Sequence, residues 1–102
     1  MKVGVAATGG SMDAEVSAAF GRCRYFLIVD SDTLRFEAFS NPASGVSSGA
    51  GPAAVQELAN RGAEVVLAGK FGPNAERALQ AAGIRYEQAS GTVREAVGKL
   101  QS

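Results

Sequence analysis

The sequence has no histidine and only one cysteine, and these two scarcities exclude several common kinds of chemistry. Histidine is the most frequent general base and metal ligand, so neither a Ser-His-Asp triad nor a Cys-His pair can be built from this chain. A closed zinc site needs about four ligands, mostly Cys or His. The sulfur donors here are Cys23 and two methionines. We therefore expect no self-contained transition-metal site and, because no acid-base or nucleophile pair is visible, no enzyme.

Excess charge and long apolar runs are also missing. Lys and Arg total 10, Asp and Glu total 10, and the formal net charge is zero. Without a basic run, nucleic acid is not an expected partner. No apolar stretch approaches the ~20 residues that span a membrane, and the N-terminus lacks the apolar core of a secretory signal. We expect a cytoplasmic protein with one domain over residues 1–102.

What the sequence does contain is a regular alternation of short apolar runs and helical patterns. Strands are predicted over 2–8, 25–30, 34–40, 63–69 and 84–89. Helices are predicted over 13–20, 52–61, 71–83 and 92–100. The last helix begins with a capping box formed by Thr92 and Glu95, and Gly62 and Gly83 are predicted stops.

The link between the second and third strands decides the topology. Its turn formers, "DSDT", are too few for a parallel crossover, so these strands form a predicted antiparallel hairpin with the third strand at the edge. The later strands alternate with helices, which predicts parallel pairing with right-handed crossovers. We predict an α/β, three-layer, ribonuclease-H-like fold: a mixed five-stranded sheet with the first strand central. The alternative is an all-parallel, flavodoxin-like sheet.

Four stretches stand in an order found in a known family. They are "VGVAATGGSMDAEVSAAFGRCRYFLIVD", "SSGAGPAAVQELANRGAEVVLAG", "FGPNAERALQAAGI" and "GTVREAVGKL". Together they resemble the dinitrogenase iron-molybdenum cofactor biosynthesis family, which includes small NifX-like proteins. The resemblance implies a ribonuclease-H-like fold and non-catalytic binding of molybdenum- or iron-sulfur cofactors or their precursors. It also implies partner proteins that donate and accept the cluster.

Two departures from the family pattern concern histidine. Members often carry a histidine just before the Phe-Gly-Arg element, where this chain has Ala19, and others in the loop before Gly-Ala-Gly, where this chain has none. Imidazole ligation is therefore not expected here, and the metal content of the cargo stays open.

Cys23 is the predicted metal ligand. Arg22 stands beside it, and a nearby cation lowers the pKa of a thiol and favours the thiolate. Thiolate is a soft ligand that suits iron-sulfur or copper centres. The alternative is a buried free cysteine at the start of a strand, because cysteine is among the most buried residue types.

The glycine-rich loops predict an anion cradle, since free N–H groups at a helix start attract negative charge. Ordinary turn chemistry is the alternative. Met12 is either a soft thioether ligand or an ordinary gap-filler at a loop, and Arg22 either pairs with an anionic cargo or is solvated. The candidate cofactor-binding residues are Thr8, Gly9, Gly10, Met12, Arg22, Gly49, Ala50, Gly51 and Gly72.

These features favour one function over two others. The leading hypothesis is a carrier or scaffold for an anionic, labile metal-sulfur cluster, as a monomer or weak homodimer. A cofactor-free interaction or regulatory domain is the alternative. A ribonuclease-H-like nuclease is disfavoured because residues 2–8 contain no carboxylate that could bind its metal.

Overall fold

The computed structural model describes residues 1–41 and 50–101 as an α/β fold with a mixed five-stranded sheet and helices, as predicted. The elements in chain order are β1 (Lys2–Ala7), β2 (Tyr25–Asp30), β3 (Phe36–Ser40), α1 (Ala50–Asn60), β4 (Val65–Ala68), α2 (Pro73–Ala81), β5 (Arg85–Gln88) and α3 (Val93–Gln101).

The sheet has the order β3-β2-β1-β4-β5, with β1 at its centre. β2 is antiparallel to both β1 and β3, whereas β4 is parallel to both β1 and β5. The all-parallel alternative is therefore wrong. The β2–β3 turn is built by the Asp30 carboxylate, which accepts the N–H groups of Asp32 and Thr33 and whose pKa these bonds lower. Asp30 therefore has a structural role, which is to close the hairpin turn.

The short helix predicted over 13–20 is wrong. Residues 12–20, the crossing segment, instead lie across the carboxyl ends of the central strands. The Ser17 N–H donates to the Ala6 carbonyl at 2.7 Å, and the Gly69 N–H donates to the Ser17 carbonyl at 2.8 Å. A helix of about eight residues is marginal alone, so bonds to the strand ends prevail over local propensity.

Two apolar layers sandwich the sheet. One lies under α1 and α2 and contains Phe26, Val66, Leu58 and Leu79; the other lies under α3 and contains Val5, Leu67 and Val97. At the centre, α1 approaches β1 closely: a Cβ built on Gly4 would stand 2.9 Å from Leu58 Cδ2. Only glycine leaves room for that approach.

The helix ends follow the predicted signals in most places. Thr92 and Glu95 form the capping box, each accepting the other's backbone N–H, at 3.0 and 3.1 Å. Gly62 and Gly83 follow α1 and α2 with φ of +85° and +73°, the left-handed conformation typical of a helix stop. α1 starts at Ala50, so Pro52 is its third residue rather than its first.

Within the described ranges, no helix is both long enough and apolar enough to cross a bilayer.

Candidate functional site

Three loops meet at the carboxyl end of β1, around the turn formed by residues 21–24. The Phe20 N–H donates to the Lys70 carbonyl at 2.9 Å, which joins this turn to the loop after β4. The Asn41 N–H donates to the Arg24 carbonyl at 3.0 Å, which joins it to the end of β3. Ligands of open α/β sheets bind at this kind of edge, so the geometry places the 21–24 turn where a site is expected.

Asn41 holds the 21–24 turn in place, and sequence reasoning missed it. Its buried side-chain amide donates to the Gly21 carbonyl at 2.8 Å and to the Cys23 carbonyl at 3.0 Å. Gly21 has a φ of +84°, which favours glycine and directs its carbonyl toward Asn41. The Asn-Pro pair at 41–42 indicates a turn, but no local signal identifies partners 18 and 20 residues earlier.

Cys23 lies beneath this turn as a buried thiol, 3% exposed, in the apolar layer under α1 and α2. Burial raises the pKa of the thiol from 9.0 to about 11, although hydrogen bonds from backbone N–H groups and from Asn41 lower it. The expected lowering of this pKa by Arg22 is therefore wrong, because desolvation dominates. At neutral pH the sulfur carries its proton, and in this structure Cys23 takes the alternative role of a buried cysteine.

Met12 does not share a site with Cys23. Its side chain is 3% exposed and packs in the layer under α3, on the opposite face of the sheet from Cys23. Its carbonyl accepts the Arg94 N–H at 3.0 Å, which ties the crossing segment to the start of α3. Met12 is thus a gap-filler, but in the apolar layer under α3 rather than at a loop, and it is covered on the face away from the 21–24 turn.

The first glycine loop also turns toward the α3 face. The Thr8 N–H donates to the Glu15 carbonyl at 2.9 Å, and the Thr8 hydroxyl accepts the Glu15 N–H at 3.3 Å. Gly10 lies over the Ala38 side chain, and Gly9 lies against Ala14. This loop is engaged with the protein itself, and the structure does not bring Thr8, Gly9 and Gly10 together with Cys23.

The other predicted glycines stand at helix starts. Gly72 is the N-cap of α2, without a side-chain cap, and a Cβ built on it would meet no atom within 4 Å. Ala50 and Gly51 are the first residues of α1, which has no acidic residue in its first turn, and Gly49 lies outside the described residues. Both helices follow strands that end at this edge. The N-terminal ends of both helix dipoles therefore contribute positive potential there.

The start of α3 differs from these two. The Val93 N–H donates to the Ala14 carbonyl at 2.9 Å, and the Arg94 N–H donates to the Met12 carbonyl at 3.0 Å. The crossing segment therefore occupies the donors that the start of α3 would offer to a guest.

Exposed cations surround the 21–24 turn. Arg22, Arg24 and Lys70 are all exposed, and no ion pair among residues 1–41 and 50–101 includes any of them. Sequence reasoning missed Arg24 and Lys70. Both could have been found by position, because Arg24 follows Cys23 in "RCR" and Lys70 stands two residues before Gly72 in "GKFG". The described part of the chain contains no group of three or more His, Cys, Asp or Glu side chains that could hold a metal ion. The exposed cations around the turn suit an anion.

Comparisons with known proteins gave a family model and several solved structures. The family model described as "Dinitrogenase iron-molybdenum cofactor" matches residues 1–102. The apo form of the orange protein from Desulfovibrio gigas is 43% identical, with a TM-score of 0.92, covering 98% of this chain and 86% of that one. A Thermotoga protein, TM1290, described as a candidate NifB protein of the DUF35 family, is 33% identical with a TM-score of 0.84, at 98% and 86% coverage.

A third solved structure, PH0822, is 25% identical with a TM-score of 0.83, covering 98% of this chain and 89% of that one. A comparison with curated proteins gave no significant match. The match of the family model over the whole chain, together with the identity to the orange protein, shows that the chain belongs to the dinitrogenase iron-molybdenum cofactor family.

Proposed function

We propose that this protein is a non-catalytic carrier that binds an anionic molybdenum- or iron-sulfur cluster, or a precursor of one. The binding surface is the carboxyl end of the sheet on the side of α1 and α2. The observation that carries the proposal is the set of exposed cations around one turn, Arg22, Arg24 and Lys70, which have no ion-pair partner among residues 1–41 and 50–101. The strand order β3-β2-β1-β4-β5 fits the ribonuclease-H-like arrangement that the family resemblance implies.

The chemistry of such a cargo matches the groups on this surface. Metal-sulfur clusters and thiometallates are anions, and their terminal sulfur and oxygen atoms accept hydrogen bonds. Guanidinium groups, an ammonium group and the first N–H groups of α1 and α2 can hold them without a protein-metal bond. Retention by charge and hydrogen bonds lets a carrier receive the cluster from one protein and release it to another. Family membership and the apo form of the orange protein support a cargo of this kind.

Cys23 enters the proposal as a second, separable step. Its sulfur lies one residue from Arg22 but is buried and protonated. Ligation of a metal by Cys23 therefore requires that the thiol become exposed and lose its proton. Binding through the cations needs neither change, so we propose that the cations make the first contact and that a Cys23–metal bond, where it forms, follows.

The test is anaerobic reconstitution with tetrathiomolybdate plus an iron or copper salt, followed through the visible charge-transfer band. Changing Arg22, Arg24 and Lys70 to Gln should weaken uptake by roughly fivefold for each charge removed. The matched control changes Lys2, Arg35 and Arg85 to Gln, because these three exposed cations lie at or next to the starts of β1, β3 and β5, at the opposite end of the sheet. Equal weakening in the control would reduce the effect to net charge and contradict a site at the 21–24 turn.

Cys23→Ser separates the two steps. Charge-based binding predicts that the variant keeps most of the uptake between pH 7 and pH 9, because the thiol of the unaltered protein is already neutral there. Direct ligation predicts loss of the band in the variant, and uptake by the unaltered protein that rises with pH toward the thiol pKa of about 11. Absence of any uptake by the unaltered protein would instead favour a cofactor-free interaction domain.

A further inference from the structure

The two edges of the sheet have opposite characters. β5 carries the exposed polar residues Arg85, Glu87 and Gln88, charges and amides of the kind that blunt an edge strand. β3 carries Phe36, which is 43% exposed, and the exposed Ala38, and its sequence contains neither Lys nor Pro. β3 is therefore the edge that is open to pairing with another strand.

The backbone of β3 presents free groups in a defined register. The Arg35 carbonyl accepts the Asp30 N–H at 2.8 Å, so the backbone groups of Arg35 point toward β2. Because this direction alternates along a strand, Phe36, Ala38 and Ser40 direct their N–H and carbonyl groups outward. Within residues 1–41 and 50–101, these three residues have no backbone partner on that side.

The edge is complementary to itself when two copies meet antiparallel with a two-fold axis at Ala38. Ala38 then faces Ala38 of the second copy, and Phe36 faces Ser40, so all the outward groups pair. On the α3 face, the Phe36 ring of one copy lies opposite the small Ser40 side chain of the other, and Gly10, which lies over Ala38, has no side chain to obstruct it.

Charges on the opposite face fit the same register. Glu37 of one copy faces Phe39 of the other. The Arg61 guanidinium lies 3.9 Å from the Phe39 ring centroid and donates to Glu37 of its own chain at 3.1 Å. Pairing thus brings each Arg61 beside Glu37 of the second copy. This reciprocal match favours a second copy over an unrelated strand as the occupant.

We propose that the protein forms a homodimer by antiparallel pairing of β3 with β3, which joins the two sheets into one. The contact is a short edge without a large apolar core, so it belongs to the weak class of interfaces, with a Kd on the order of 100 µM. The two-fold axis directs the carboxyl ends of the two sheets in opposite directions. Both candidate cofactor sites therefore stay open, and the dimer does not depend on the proposed function.

Disulfide cross-linking tests the register. In a Cys23→Ala background, Ala38→Cys places two thiols at Cα atoms about 5.5 Å apart, within the range of a disulfide. Ser40→Cys places them about 13 Å apart. We expect roughly ten times more cross-linked dimer from Ala38→Cys than from Ser40→Cys. Ala81→Cys, on the exposed surface of α2, is a second control and should give a yield as low as that of Ser40→Cys. Equal yields from the three variants would overturn the proposal, and so would preferential cross-linking of Phe36→Cys.

Sedimentation equilibrium of the unaltered chain tests the dimer without a cross-link. The average mass should rise from monomer toward dimer as the concentration passes through hundreds of micromolar. Ala38→Pro should weaken association by about tenfold or more, because it deletes an outward N–H without removing a hydrogen bond to β2. If the proline variant unfolds, Ala38→Lys replaces it. This variant places two ammonium groups at the two-fold axis, and their repulsion should weaken association in the same way. A chain that stays monomeric near millimolar concentration would refute the dimer.

Discussion

The two sides of the carboxyl end each carry one sulfur atom, yet they leave very different groups available to a guest. On the α3 side, the crossing segment occupies the first N–H groups of the helix, and Met12 is packed beneath it. On the other side, Gly72 at the start of α2 has no side-chain cap, the first turn of α1 has no acidic residue, and exposed cations surround the turn over Cys23. Both sulfur atoms are buried, so their positions do not distinguish the two sides. What distinguishes them is the availability of helix N–H groups and of positive charge.

The largest expected effect concerns the closed side. Met12→Ala should lower the free energy of unfolding by roughly 2–5 kcal/mol, because it deletes a buried side chain from the layer under α3. Urea denaturation followed by circular dichroism measures the change. Met12→Leu, which conserves volume, should cost less than about 1.5 kcal/mol and leave cluster uptake intact. Loss of uptake in a stable Met12→Leu variant would move the site to the α3 side and break the comparison.

The next effect concerns the pH dependence of Cys23. The folded state raises the pKa of the thiol from 9.0 to about 11. Below pH 9 the thiol is protonated in both states and its contribution to stability is fully present. Between about pH 9 and pH 11 the unfolded chain releases its proton first, so the free energy of unfolding falls as the pH rises.

A shift of this size corresponds to a stability loss on the order of 2 kcal/mol. Denaturation of the unaltered protein and of Cys23→Ala at pH 8 and near pH 11 isolates this component, because the two proteins share every other ionisable group. A parallel decline in the two proteins would show that the sulfur is solvated, and the open side would then include a reactive thiol.

A smaller effect is expected where the crossing segment passes β4. A Cβ built on Gly69 would stand 2.9 Å from Ala18 Cα and 3.0 Å from the Ala18 carbonyl oxygen. Gly69→Ala should therefore cost roughly 1–3 kcal/mol, since backbone cannot move aside as a flexible side chain can. Thermal unfolding compares it with Gly98→Ala, an open position in α3 where alanine should stabilise by up to about 1 kcal/mol. Equal stability of the two variants would mean that the backbone of the crossing segment can shift away from position 69 at little cost in free energy.

The sequence was most informative where the signals were local. The hairpin followed from the length of "DSDT", and the start of α3 followed from Thr92 and Glu95, because each feature depends on residues a few positions apart. The crossing segment could not be predicted, because its hydrogen bonds go to the ends of distant strands. Val16 and Ala19 fit a short helix, and only the exposed carbonyls and N–H groups of the sheet decide otherwise.

The candidate site shows the same limit. Arg22, Gly72 and the start of α1 could be identified from glycine and arginine motifs, and the structure places them at the expected edge of the sheet. The state of Cys23 could not be predicted, since the pKa of a thiol depends on how completely the fold removes it from water. Asn41 was missed for a related reason: its partners become neighbours only when β3 pairs with β2.

Gly4 has a consequence that extends well beyond β1. By admitting Leu58 to the centre of the sheet, it sets the height at which α1 rests. The first turn of that helix lies eight residues from Leu58, about 12 Å along the axis. A methyl group at position 4 would first meet the terminal methyl of Leu58, which can rotate aside, and then Val66 and Ala63, 3.4 and 3.5 Å away. The absence of that carbon atom lets Leu58 fill the middle of the sheet, and so anchors the rod whose positively polarised tip faces an incoming guest.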